Sequence, residues 1–512
     1  MGPMMRLTAV MQGAHAFAWK ENPMSETRNI TLPETDFYYR MVKDYVEQTP
    51  DEDYSHASEQ AFEAFKDMKY GIRIHWGLYS MWSLPGESWP FLKMNYQRRQ
   101  EYVDLSQQFN PQGFSADAWM GLFESVGMKC MAFTTKHHEG FSLFDTKTRV
   151  KRRVQWDAEG GPVIEDCDCA YSVMESPYGR DIVREICDAA RQHNIRIDLY
   201  FSNPDWYDAD FRPYGYHPLT VPGSEKLITQ QELDDIPRFY GPTPPVMAPT
   251  LTEEEKRRMV ARHRQQLSEI LTNYGKIDMV CLDNWFGPDV WPEFKETIKM
   301  ARKLQPDCMF RARGVGNYGD YYTPEGFFPG AKANTDMPWM VIYPLGKSFS
   351  YDPDGSFYKG GRWIIHNLVD IVAKGGNFMV GIGPDPNGQW HPNAIRDLEE
   401  AGRWLKVNGE AIYATRPRPG TLYKEGDTLF FTRTKDGHTA YAISTQWPGQ
   451  SLQIKTLRPK DGSEITMLGY DSPLPWRIDE NGIVIDLPEG LQQESTRPCD
   501  FAYAFKIQAD PD

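Results

Sequence analysis

Four short runs end stretches of apolar, β-branched or aromatic residues with groups that bind or move protons. They are Ile74-His75-Trp76-Gly77, Lys136-His137-His138-Glu139-Gly140, Tyr200-Phe201-Ser202-Asn203 and Cys281-Leu282-Asp283-Asn284-Trp285. Imidazoles and a phenol suit the hydroxyls of a sugar, and tryptophan faces suit its C–H side. Asp283 closes the apolar run 277–282, which only Asp278 interrupts, and stands two residues before Trp285. A carboxylate at a strand end beside an indole is partly desolvated and geometrically fixed, as a glycosidase nucleophile must be. On local sequence alone, an aspartate capping the next turn is the competing reading. His137, His138 and Glu139 also raise a metal site. Neighbours on an extended strand point to opposite faces, however, and no His-Glu-x-x-His occurs, so a zinc hydrolase is the weaker reading and no metal is expected.

Groups at separate strand ends meet only if the strands run side by side in one direction. From about Ala57 to Pro417 the chain alternates β-rich runs (72–76, 129–135, 196–202, 279–283, 308–314, 377–383) with amphipathic runs (116–126, 179–194, 253–274, 291–304, 362–374). Such alternation over this length predicts an α/β fold of the (β/α)8-like TIM barrel type, with a doubly wound sheet as the rival. Barrels place function at the carboxyl ends of their strands, where all four runs fall. Residues 1–56 form an N-terminal extension with helical character near 37–48, and 57–417 form the barrel. After Arg416-Pro417-Arg418-Pro419-Gly420 the strands follow without helices, so 418–512 predict an all-β sandwich. The polar, Pro-rich stretches 150–178 and 204–250 are expected to be loops over one barrel face.

A net charge of −15 argues against nucleic acid or an anionic membrane surface as partner. No apolar run reaches membrane-spanning length, so a soluble protein is expected, cytoplasmic or, after removal of a leader, periplasmic or secreted. A homo-oligomer is left open. The seven cysteines include no Cys-x-x-Cys pair and read as free thiols. Gly314-Val315-Gly316-Asn317-Tyr318-Gly319 has dinucleotide-site spacing, but Pro324 and Gly326 prevent the helix such a site needs.

Tyr70-Gly71-Ile72-Arg73-Ile74-His75-Trp76-Gly77-Leu78-Tyr79-Ser80 resembles the first barrel strand of family 29 α-L-fucosidases. Thr134 to Phe141 resembles that family's Thr-Lys-His-His-Asp-Gly-Phe, with Glu139 in place of the aspartate. Lys374-Gly375-Gly376-Asn377 and Trp404 to Tyr413 are similar to its closing segment, and the likeness covers about 57–418. The resemblance implies a retaining exo-glycosidase that removes α-L-fucosyl residues from fucosylated glycans without a cofactor. It makes Asp283 the nucleophile and Glu325, in Thr323-Pro324-Glu325-Gly326, the acid/base. It also assigns His75, His137, His138, Tyr200, Arg313 and Phe349 to sugar binding, and Trp285, beside the nucleophile, is expected to bind substrate as well. The family often shows Glu-Trp after the first strand, whereas here Ser88 separates Glu87 from Trp89. With the family's geometry kept, Trp89 stacks on the sugar and Glu87 bonds a hydroxyl; otherwise the pocket accepts a modified sugar. The alternatives are an α-L-galactosidase or related glycosidase on the same scaffold, and a sugar-binding descendant without catalysis.

Overall fold

The computed structural model describes residues 28–220, 251–324 and 335–512. Seven parallel strands lie in the order Met309–Phe310, Met279–Asp283, Arg196–Ser202, Cys130–Lys136, Tyr70–Ile74, Asn377–Ile382 and Met340–Pro344. Two single-residue parallel bridges, Arg311 with Tyr321 and Tyr322 with Trp339, join the outer strands. Ala312 N–H donates to the Tyr321 carbonyl at 2.7 Å, and Met340 N–H to that of Tyr322 at 3.0 Å. Tyr321 and Tyr322 thus take the eighth position and close the (β/α)8-like barrel.

The strands are buried on both faces because helices cover the outside and side chains fill the inside. The covering helices begin where side chains cap them: Ser115 before Ala116–Ser125, Asp181 before Ile182–Gln192, and a Thr252/Glu255 capping box before Glu253–Thr272. Gly361–Ala373 and Pro392–Asn408 complete the last barrel units.

One expected loop is corrected. Within 150–178, Val150–Gln155 and Val163–Cys169 pair as an antiparallel hairpin. Its charged residues are mostly half-buried or exposed on this small two-stranded ribbon, which explains why its composition resembled a loop. The stretch 204–220 carries short 3-10 turns.

Beyond the barrel, Arg416–Pro417, Leu429–Arg433, Thr439–Ser444, Tyr503–Gln508 and Ile465–Met467 form an antiparallel sheet, with Lys424–Glu425 paired to Leu429–Arg433. A second sheet of Ser451–Ile454, Gly482–Asp486 and Trp476–Asp479 accompanies it. Phe431, Ile454, Ile465, Ile485, Phe505 and Ile507 belong to one shared core and are fully buried. That is the sandwich expected from strands that follow one another without helices.

Candidate active site

Residues two apart on a strand share a face, which stacks the barrel interior in layers. Arg73, Asp198, Cys281 and Arg311 form the lower layer, all buried. Two residues further along their strands, His75, Tyr200, Asp283 and Arg313 form the upper one. Above it opens a cavity of about 550 Å³. Eight sequence-predicted residues line it: His75, Glu87, Trp89, His137, Tyr200, Asp283, Arg313 and Phe349.

Asp283 is held from two sides. Arg313 Nη1 donates to Oδ1 and the Tyr200 hydroxyl to Oδ2, both at 2.6 Å. His138 Nε2 lies 3.7 Å from Oδ2. Burial opposes ionisation, but the guanidiniums of Arg313 and Arg311, His138 and the Tyr200 bond outweigh it and hold this carboxyl well below the usual range. With its side chain 13% exposed, Asp283 is a fixed carboxylate that still reaches the cavity.

The histidines are kept neutral. Burial, helped by Arg73, holds His75 well below its ordinary value. Burial and the neighbouring His138 do the same to His137. Burial takes His138 down to about 4 against the pull of Asp283. Each ring therefore carries a single N–H at neutral pH, suited to one hydroxyl. The rings are braced by aromatics: His75 stacks on Phe349 with centroids 5.3 Å apart, and His137 on Tyr200 at 5.5 Å. Gly381 admits Phe349, since a Cβ there would lie 2.2 Å from its ring.

Glu87 enters on a tight reversal, with Gly86 at φ 83° and Glu87 itself at φ 57°. It is 6% exposed, and its Oε1 bonds nothing among the described residues. Burial pushes its carboxyl up to about 7, against backbone donors at Phe349 and Ser350. Trp89 sets its edge on His138 at 4.9 Å and on Trp206 at 5.5 Å.

His138 stands behind the wall, between Asp283 and Trp89. Trp285 stands one layer out, edge-on to Tyr38 at 6.3 Å. Glu325 lies outside the described residues; Thr323 and Pro324, which precede it, line the cavity. Sequence reasoning missed Tyr38, Arg73, Arg311 and Lys347, which line it too. Arg73 and Arg311 were legible from the two-residue period once His75 and Arg313 were placed. Tyr38, in the helix Phe37–Val42, sets its ring 3.8 Å from the Arg313 guanidinium, and nothing local in the sequence announced that. Among the described residues no group of three or more His, Cys, Asp or Glu side chains is arranged to hold a metal ion.

A parallel barrel with an anchored carboxylate among neutral imidazoles and aromatic walls has the architecture of a glycoside hydrolase, and this chain is one. It belongs to the alpha-L-fucosidase family: the family model "Alpha-L-fucosidase" matches residues 41–410, and "Alpha-L-fucosidase C-terminal domain" matches 425–508. The chain is 28% identical to the human tissue alpha-L-fucosidase over 469 residues, covering 86% of this chain and 88% of that protein. It is 27% identical to the mouse enzyme over 475 residues, covering 86% and 91%. Among solved structures it is similar to alpha-L-fucosidase isoenzyme 1 of Paenibacillus thiaminolyticus, with a TM-score of 0.68, 25% identity and coverage of 88% and 99%. A Bacteroides thetaiotaomicron alpha-L-fucosidase, solved as a trapped covalent intermediate, shares the fold with a TM-score of 0.67 at 21% identity, covering 90% and 99%.

Proposed function

We propose that the protein hydrolyses terminal α-L-fucosyl residues of glycans by double displacement, with Asp283 as nucleophile and Glu325 as acid/base. The observation that carries the reading is the Asp283 carboxylate, kept ionised by Arg313 and Tyr200 at the wall of the sugar-sized cavity. Asp283 attacks the anomeric carbon while the acid passes its proton to the leaving oxygen, giving a glycosyl ester. The same group, now a base, takes a proton from water as that water attacks, and Asp283 leaves with configuration retained. Neutral His75 and His137, with Arg313, bind hydroxyls, and Trp89 and Phe349 meet the ring's apolar edge. Ile342, Pro344 and Phe349 give part of the wall an apolar character that favours a methyl at C5. An apolar wall rejects an added hydroxyl by about a hundredfold, so an α-L-galactoside should be turned over about that much less efficiently.

Glu87 supports a second assignment of the acid. It lines the same cavity as Asp283, has an unbonded oxygen, and stays largely protonated up to about pH 7, as a general acid requires.

The test compares Asp283→Ala, Glu325→Gln and Glu87→Gln on aryl α-L-fucosides with good and poor leaving groups. Asp283→Ala should lose about a thousandfold or more in kcat, the scale of a lost nucleophile, with azide restoring turnover as a glycosyl azide. The acid is the residue whose loss spares the good leaving group and cripples the poor one. Wild-type turnover of an Asp283→Ala variant without azide sinks the mechanism.

A further inference from the structure

Two places where the chain departs from the α-L-fucosidase motifs quoted above, Ser88 between Glu87 and Trp89 and Glu139 after the paired histidines, meet behind the imidazole of His137. Ser88 is fully buried, and its Oγ lies 2.5 Å from His137 Nδ1. Glu139, 2% exposed, brings Oε2 to 3.7 Å from the same nitrogen. Neither Glu139 oxygen has a well-aligned hydrogen bond among the described residues, but the Ser88 hydroxyl and the Glu139 backbone N–H both lie close enough to favour its charged form. His137 Nε2, the other ring nitrogen, is left for the cavity that His137 lines.

We infer that Ser88 and Glu139 form a buried relay that keeps the proton of His137 on Nε2, so that this ring meets the sugar as a donor. The inference rests on the proposed sugar site. The chemistry follows from which groups hold protons. Burial pushes the Glu139 carboxyl up to about 8, so at neutral pH it is mostly protonated and draws the Ser88 hydrogen far less than a carboxylate would. Ser88 then donates to Nδ1, and the ring proton stays on Nε2. When Glu139 ionises, its proton goes to solvent and the carboxylate draws the Ser88 hydroxyl to itself. Nδ1 then takes the ring proton to donate to Ser88, and Nε2 becomes an acceptor. Other groups face Glu139 as well. Lys136, bound to Asp205 at 3.4 Å, favours its ionisation while Asp205 opposes it. The phenols of Tyr79, Tyr102 and Tyr171, all buried, and the neutral ring of His137 complete the surroundings. Ser88 and Glu139 are positioning residues: they act on sugar only through His137.

The experiment follows KM and kcat for 4-nitrophenyl α-L-fucoside, and the Kd of L-fucose, from pH 6 to 9.5, beside the 15N signals of the His137 ring. In the wild type, His137 should report Nε2–H at pH 6, and KM and Kd should climb through about pH 8. Ser88→Ala should raise KM and Kd about tenfold at pH 6, the effect of one lost hydrogen bond, with kcat within about threefold. Glu139→Gln is isosteric and cannot ionise, so the alkaline climb should vanish. A climb that survives in Glu139→Gln, or an unchanged His137 tautomer in Ser88→Ala, overturns the relay. Should no α-L-fucoside be bound or cleaved, the proposed function fails, and the wild-type ring signals still decide the relay separately.

Discussion

Asp283 has its two oxygens bound to different partners, and that division fixes both its charge and its direction. The phenol sits on the strand Arg196–Ser202 and the cation in the turn after Met309–Phe310, so neither substitutes for the other. Removing the guanidinium in Arg313→Met takes away the largest of the influences that counter burial, and the carboxyl should move up toward, or past, the ordinary range. The sign is definite. A depressed acid is ionised down to low pH, so wild-type kcat/KM should hold into the acid range. In Arg313→Met the acidic limb should shift to higher pH, with at least a tenfold loss at pH 5, the scale of one lost charge-assisted hydrogen bond. A kcat/KM profile between pH 3.5 and 8 reads this directly; an unmoved limb would show that Asp283 is not the group being titrated. Most of this cavity was visible in the sequence, because a strand-end carboxylate and strand-end histidines announce themselves by type and place. Tyr38 was not, because what aims it at Arg313 is tertiary packing of a six-residue helix against the barrel.

The barrel's elements were legible in proportion to how regular they are. Arg196–Ser202, Met279–Asp283 and Trp291–Leu304 stand where the patterning placed them. Met340–Pro344 escaped notice because it follows a stretch without helical periodicity and ends in proline. The eighth position was still harder to see: Tyr321 and Tyr322 hold it with one bridge on each side. That seam is where the barrel is most sensitive to volume. Gly319 packs against the Ala312 backbone, and a Cβ there would come within 2.4 Å of Ala312 Cα. Its φ is ordinary, so the constraint is space. Gly319→Ala must push Ala312 away from Tyr321 and displace Arg313, the next residue. Overpacking of this kind costs about 1–3 kcal/mol, so the melting temperature should fall by several degrees and kcat/KM should drop with it. Thermal unfolding and steady-state kinetics check both; a variant with wild-type values for the two would remove the seam from the account of the site.

At the scale of the whole molecule the question is whether the sandwich merely follows the barrel or folds with it. Phe430, Tyr441, Ile443, Ala502 and Ala504, all from sandwich strands or their edges, are part of the same buried cluster as the barrel core. Trp404, on the last barrel helix and 2% exposed, donates its indole N–H to the Ala502 carbonyl at 2.7 Å. Thr432 donates to the Ala411 carbonyl at 2.7 Å, and His366 Nε2 lies 3.0 Å from that of Phe501. An interface built from apolar side chains and buried hydrogen bonds couples the stabilities of its two sides, whereas a polar, hydrated one leaves them independent. The sandwich therefore packs on the helices Gly361–Ala373 and Pro392–Asn408, which pack on each other, the first of them backing the strand Asn377–Ile382 beside His75. Trp404→Ala should cost about 3–5 kcal/mol, the usual effect of emptying a buried tryptophan site. The loss should appear on both sides at once: in hydrogen exchange, amides of Asn377–Ile382 and of Leu429–Arg433 should lose protection together, and the wild type should unfold in one calorimetric transition. Loss of protection confined to the sandwich strands, with the barrel strands unchanged, would mean that the two units stand independently and that the bracing contributes nothing to the site.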